Sequence, residues 1–294
     1  MTRAADELSR PDKVLFADPG VTKAELAEYF EIVAPVMVGH LRQRPLVVRR
    51  YPDGVDGAGF VQQQAPRNTP DDVETVSVAA DNRRGAVRHL VVDEAGTLRF
   101  LANQACLELH RWLSRADRID NPDLLVLDLD PSEHVTLAVL RRTARAAAEL
   151  FDTLGLTPYL MATGSSGYHV VAPLDREATF QQARELARAI AEKMAEDSPD
   201  ELTTEQRMAK RGDRLFLDTG RNAYGQTAVA PYSPRARAGA PVATPLEWDE
   251  LSKVEPDHYD LLAVRRRLAQ KPDPWSDIAD HAGSVASALR RLSS

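Results

Sequence analysis

The chain has 294 residues, 43% of them hydrophobic and 28% charged, which is the composition of a soluble globular protein with a sizeable core. No apolar run reaches the ~18 residues of a membrane span, and the first stretch, MTRAADELSRPDKV, lacks the apolar centre of a secretion signal. The single cysteine, Cys106, excludes an intramolecular disulfide and a cysteine-rich zinc site and fits a reducing cytoplasm, while the net charge of -7 argues against a general nucleic-acid coat.

In chain order, helical spacing begins after Thr22, a capping residue, and runs over residues 23–41. LVVRRYP and GFVQQ read as short strands around the turn PDGVDG. RHLVVDEAGTLRFLANQ reads as a hairpin with EAG at its tip, and ACLELHRWLSRAD as a short helix. LLVLDLD is a strand. A long helix is expected from residue 132 to about 154, capped by Ser132, with Val135, Val139, Thr143, Ala147, Leu150, Phe151 and Leu154 as its apolar stripe. PYLMATGS and YHVVAPL form a strand pair around a Gly/Ser turn, followed by an amphipathic helix over residues 176–196. RLFLD and QTAVAPYS are further strands, and the tail from residue 246 is helix and loop. Long helices mixed with local hairpins point to α+β or mixed α/β rather than a doubly wound parallel sheet. With no obvious linker, one compact domain over residues 1–294 with two lobes is expected.

Two features carry chemistry. The first is the end of LLVLDLD. Alternation along a strand puts Asp128 and Asp130 on the same face. Burial and mutual repulsion both disfavour their charges, and a divalent cation relieves both penalties. The plain alternative bonds Asp128 to amides or an arginine and leaves Asp130 in a turn. Two enzyme classes use such a pair. Haloacid-dehalogenase-type phosphohydrolases place a nucleophile at the first Asp of D-x-D-x-T/V, and DLDPS and GDRLFLD imitate their motifs. There an apolar strand precedes Gly-Asp, whereas here the polar TTEQRMAKR does. Nucleotidyl transfer instead needs a third carboxylate on a neighbouring strand, with two metals about 3.5–4 Å apart. RLFLD supplies one in Asp218.

The second feature is TGSSGYHV, residues 163–170, between the two carboxylate strands. Its small residues let amides approach phosphate, and Thr163 and Ser165 add hydroxyls before His169. Residues 207–237 carry seven basic residues against two acidic ones, and Arg42, Arg44, Arg49 and Arg50 cluster as well. These stretches suit a phosphate-rich ligand or are a solvated charged surface.

Taken together, PDKVLF, GVTKAEL, RPLVVRRYPDGVDG, NQACLELH, LLVLDLDP, SSGYHVVAPL, AKRGDRLFLD, APYSPRARAGAPVATPLEWDEL and DPW resemble the polymerase domain of bacterial DNA ligase D, in the archaeo-eukaryotic primase superfamily, over nearly the whole chain. The resemblance implies a two-lobed primase fold with an RNA-recognition-motif-like catalytic lobe. It implies template-directed, ribonucleotide-preferring nucleotide addition at DNA ends or gaps in non-homologous end joining. It further implies a monomer in the cytoplasm or on the nucleoid, without a membrane, using Mn2+ or Mg2+ and NTP or dNTP, with Ku and a separate DNA ligase as partners. A stand-alone form without ligase or nuclease module is expected.

By position, Asp128, Asp130 and Asp218 would be the catalytic metal ligands. Arg49, Phe60, His110, Thr163, Ser165, His169, Arg211, Arg221 and Arg235 would bind the nucleotide, and Lys13 and Lys23 the 5′-phosphate of gapped or broken DNA. Departures are Ser166 and Gln63 where relatives carry Lys, Arg49 for Lys, Val61 for a second aromatic, and Arg221 for Gln. They imply a weaker but active polymerase, with Arg221 compensating, or else a non-catalytic DNA-end-binding module.

Overall fold

Thr22 ends a two-residue strand and caps the first long helix. Its hydroxyl accepts from the Glu25 amide and the Glu25 carboxylate accepts from the Thr22 amide, a reciprocal capping box. This computed structural model describes residues 8–79 and 85–293. The helix, α1 (Lys23–Leu41), follows the hairpin β1 (Val14–Phe16) and β2 (Val21–Thr22). Leu26, Phe30, Val33, Met37 and Leu41 recur at helical spacing and are fully buried.

The backbone divides into two compact units. The first comprises residues 1–117, 229–244 and 259–273. Besides α1 it holds β3 (Leu46–Arg50), β4 (Phe60–Gln62), the hairpin β5 (Thr75–Ala79) and β6 (Ala86–Leu90), α2 (Ala95–Asn103) and β7 (Cys106–Trp112). Strand β3 lies antiparallel between β7 and β4.

Two expectations are corrected here. Residues 95–103 are helical, not the second arm of a hairpin. Leu98, Leu101 and Ala102 recur at three- and four-residue spacing and bury against α1, which outweighs the turn character of EAG. Residues 106–112 are a strand, not a helix. Leu107 and Leu109 alternate with Glu108 and His110, a period of two.

The second unit comprises residues 118–228, 245–258 and 274–294. Its strands are β8 (Leu124–Asp130), β9 (Tyr159–Ala162), β10 (Tyr168–Pro173), β11 (Leu202–Thr203) and β12 (Leu215–Asp218), in spatial order β11–β12–β8–β10–β9. Only the pairing of β11 with β12 is parallel among these neighbours. Helices α3 (Leu137–Leu154) and α4 (Phe180–Asp197) pack on the sheet. Both begin later than expected. Thr136 caps α3 after a turn at Ser132, and Thr179 caps α4 after Arg176, whose φ is +63°. The short helix α5 (Met208–Arg211) precedes β12. Strands β13 (Thr227–Val229) and β14 (Thr244–Leu246) and helices α6 (Leu261–Leu268) and α7 (Val285–Leu292) complete the chain, with α6 packed on α1 in the first unit. The mixed α+β class is as expected. Among the described residues no helix is long and apolar enough to cross a membrane.

A buried polar network ties α1 to the end of the first unit. Asp273 accepts from the Tyr232 hydroxyl at 2.7 Å and meets His40 Nε2 at 2.7 Å, while Arg111 donates to the His40 carbonyl. Burial pushes the His40 imidazole below its usual range; Asp273 pulls the other way, and Arg111 and Arg44 reinforce the burial. The unfolded chain therefore takes up the proton more readily. The stabilisation is full above about pH 6.5 and is lost as pH falls through the lower, folded value. Urea denaturation should show stability declining from pH 7.5 to pH 5.5, and His40→Gln should flatten that decline. Equal slopes in the two proteins would remove His40 from the account.

Candidate active site

Strand register assembles the carboxylates. Residues 124–127 of β8 are all buried, so both faces of this strand are covered, and the charges can emerge only at its C-terminal end. Asp128 pairs with Asp218 on β12 and with His169 on β10. Directly paired residues share a face, so Asp218, Asp128 and His169 form one row across three strands, with Asp130 two residues along the same face. Asn222 holds the turn after Asp218 against β8. Its side chain accepts from the Val126 amide and donates to the Val126 carbonyl, as a neighbouring strand would.

Arginine surrounds these acids. Arg221 Nε lies 3.4 Å from Asp128 Oδ2 and 3.9 Å from Asp218 Oδ2. Arg211 Nη1 donates to Asp130 Oδ2 at 3.2 Å while its guanidinium lies 3.7 Å from the centre of the Phe216 ring. His169 Nε2 is 3.4 Å from Asp128 Oδ1. The two β8 carboxylates shift in opposite directions. Burial raises Asp128, but His169 and Arg221 outweigh it and hold the group below the usual range. Burial and the Asp128 and Asp218 charges raise Asp130, against the pull of Arg211. One strand thus carries a firmly ionised acid beside one whose charge is disfavoured.

Three oxygen donors at the ends of adjacent strands have the chemistry of a hard divalent cation. Burial first, and then the neighbouring carboxylates, disfavour the Asp130 charge, and a cation at this point would relieve both. Among the described residues, however, no three acidic, histidine or cysteine side chains stand as a preformed cage. The carboxylates are turned to the two arginines instead. Asp130 and Asp218, 47% and 26% exposed, are open to an incoming ion, and Asp128 at 14% is less so.

In the turn TGSSGYHV the Thr163 hydroxyl donates to the Gly167 carbonyl at 2.7 Å and so closes the loop. Ser165 is half-buried and Ser166 exposed. His169 is buried, and its Nδ1 has no hydrogen-bond partner among the described residues, an unmet polar atom beside the acids. A cavity of about 640 Å³ opens in this unit, lined by Arg184, Arg188, Arg207, Arg214 and Asp218 itself.

In the first unit, three expected nucleotide contacts meet on one carboxylate. Glu108 takes Arg49 and His110 on one oxygen and lies beside Arg235 on the other. Sequence reasoning did not single out Glu108. Its signal was the two-residue spacing to His110, hidden by the helical reading of that stretch. Phe60, 46% exposed, and Val61, 60% exposed, stand on β4, so Phe60 is not core; the Arg50 guanidinium lies 5.4 Å from its ring centre. Lys13 pairs with the exposed Asp53 at 2.9 Å. Lys23 is buried, and its ammonium donates to the Ser9 and Asn103 carbonyls. Burial, then the charges of Arg10, Lys13 and Arg50, lower its pKa. The two lysines adjoin through a Lys23 amide to Lys13 carbonyl bond.

The second unit thus presents, on one sheet of a mixed α+β fold, a row of acids flanked by arginines. The model of the LigD primase-polymerase domain matches residues 22–275. The multifunctional non-homologous end joining DNA repair protein LigD of Mycobacterium tuberculosis is 35% identical over 274 residues, 90% of this chain and 36% of that protein. The bifunctional LigD of Bacillus subtilis is 30% identical over 268 residues, 90% of this chain and 43% of that protein. The chain thus spans well under half the length of these relatives. The solved polymerase domain of M. tuberculosis ligase D in complex with DNA superposes with a TM-score of 0.87 at 31% identity, covering 94% of this chain and 99% of that one.

The chain belongs to the LigD primase-polymerase domain family. The dehalogenase-type alternative falls with this result. It also falls on geometry, because Asp213 is 78% exposed and precedes β12 rather than ending a strand.

Proposed function

We propose that this chain is a single primase-polymerase catalytic domain that adds nucleotides, preferentially ribonucleotides, to DNA ends and gaps in non-homologous end joining. The observation that carries the reading is the row Asp218–Asp128–His169 with Asp130 beside it, in a member of this family. Asp128, Asp130 and Asp218 would hold Mg2+ or Mn2+, with Arg211 and Arg221 released from the carboxylates towards phosphate. When bound, the metal supplies acidification of the attacking 3′-hydroxyl and neutralisation of charge on the leaving group. The 3′-hydroxyl gives its proton to solvent, its oxygen forms a bond to the α-phosphorus, the bond from that phosphorus to the bridging oxygen breaks, and pyrophosphate departs.

His169 and Ser165 would orient the nucleotide, with Thr163 holding their turn, and Arg49, His110 and Arg235 would grip phosphate. Phe60, exposed on its strand, would support a base or ribose. Lys13 is the accessible candidate for a DNA 5′-phosphate, and Lys23 would add charge from behind it. The cavity beside Asp218 sets four arginines against Glu192, Glu205 and Asp218, and the arginines would be its contacts to phosphate. Ku and a separate ligase would complete repair, the enzyme acting as a monomer on the nucleoid in the cytoplasm.

The test is extension of a 5′-phosphorylated gapped duplex with nucleoside triphosphates and manganese. Wild type should extend it, and Asp128→Ala/Asp130→Ala should not. A wild type that binds the duplex without extending it would be the end-binding module instead. Equal extension by the double variant would remove the carboxylates from the chemistry.

A further inference from the structure

Glu108 is a carboxylate with 3% of its side chain exposed, on a strand whose neighbours carry the positive charge. Its Oε2 accepts from His110 Nε2 at 3.0 Å and from Arg49 Nη1 at 3.4 Å. Its Oε1 accepts from the Ala236 backbone amide at 2.9 Å and lies 3.5 Å from Arg235 Nε. Arg49 and Glu108 are direct partners in the β3–β7 register, and His110 shares the face of Glu108 two residues along. One buried acid therefore ties together β3, β7 and the segment at residues 235–236. Burial raises the Glu108 pKa, but the His110 bond, the Arg235 charge and the Ala236 amide bring it down to about 2.

This is more than an ion pair, because two guanidiniums and an imidazole converge on the one carboxylate. The cluster opens to solvent through Arg49, which is 43% exposed, while Arg235 and His110 are 16% and 19% exposed.

We propose that Glu108 is a positioning residue that fixes Arg49, His110 and Arg235 as an anion clamp for the polyphosphate of a nucleoside triphosphate. The proposal rests on the polymerase reading for its ligand, and on the Glu108 contacts alone for its geometry.

Substitution separates positioning from simple charge. Glu108→Gln removes a negative charge from a cationic cluster, so plain electrostatics predicts tighter polyphosphate binding. Positioning predicts the reverse. An amide has one acceptor oxygen, and its NH2 would face either the Arg49 and His110 donors or the Ala236 amide and Arg235, releasing one half of the clamp. Calorimetric titration with inorganic tripolyphosphate should show affinity falling by roughly tenfold. In gap extension the nucleotide KM should rise by a similar factor with kcat within about threefold, because ground-state grip is what is lost. Glu108→Asp keeps the charge but withdraws it by one methylene, and should also weaken binding. It serves as the second arm if the glutamine variant does not fold.

A folded Glu108→Gln or Glu108→Asp protein that binds tripolyphosphate as tightly as wild type, or more tightly, overturns the proposal. So does a wild type that binds no tripolyphosphate. A wild type that binds it without extending DNA removes the polymerase reading but leaves the clamp to be judged on the same titrations.

Discussion

Asp218→Asn should reduce nucleotide addition by roughly 10²–10³-fold, a loss of the size seen when one preorganised charge-stabilising group is removed from a site. Among the three acids this is the cleanest substitution. Asp218 Oδ1 accepts from the Gly220 amide at 2.7 Å, and an asparagine oxygen can keep that bond, so the turn after β12 is retained. Its nearest guanidinium, on Arg221, is 3.9 Å away and is also held by Asp128. The folded state thus loses little, while a bound cation would lose one of its three anionic oxygens. Asp128→Asn is harsher, since it leaves Arg221 and the buried His169 facing a neutral group. The measurement is single-nucleotide extension at saturating manganese, with urea denaturation alongside. Extension within threefold of wild type would remove Asp218 from the ligand set.

The second large effect comes from a residue with no side chain. A Cβ built on Gly167 falls 1.9 Å from the Leu129 carbonyl oxygen and 3.3 Å from Pro131 Cδ. Leu129 lies between the two acids of β8 and is paired with Tyr168, so the obstacle is backbone and cannot rotate away. Gly167→Ala must push β10 and β8 apart at the carboxylates. Overpacking of this kind should cost roughly 3 kcal/mol. Displacing Asp128 and Asp130 by about an ångström should lower extension by roughly 10²-fold even where the protein stays folded. Ser166→Ala is the control: it is exposed in the same turn and should change stability by less than about 0.5 kcal/mol. If the two variants melt alike, the close approach at Gly167 is not a constraint on the sheet.

These two positions also mark how far the sequence reaches. LLVLDLD and RLFLD were legible as strands ending in acids, because an apolar run that stops at a charge is a local pattern. The helix over residues 23–41 and its Thr22 cap were legible for the same reason, and the turn around Gly167 could be placed between two strands. The motifs sufficed to assign the family, since many short stretches agreed in order. What local pattern misjudged was residues 95–112. There a helix and a strand exchanged places in the reading, because burial against α1 and pairing with β3 decide those segments and neither partner is near in sequence.

The sequence by itself determined the mixed α+β class and the family and set three acids at the ends of apolar strands, because each is carried by residue type and order along the chain. Only the tertiary structure decided which groups meet. The register of β12 and β10 on β8 put His169 and Asp218 on either side of Asp128, and the β3–β7 pairing put Arg49 against Glu108. Register is set by hydrogen bonding and burial between distant segments, so the arginines on the acids, and Glu108 among Arg49, His110 and Arg235, became visible only when those strands were side by side.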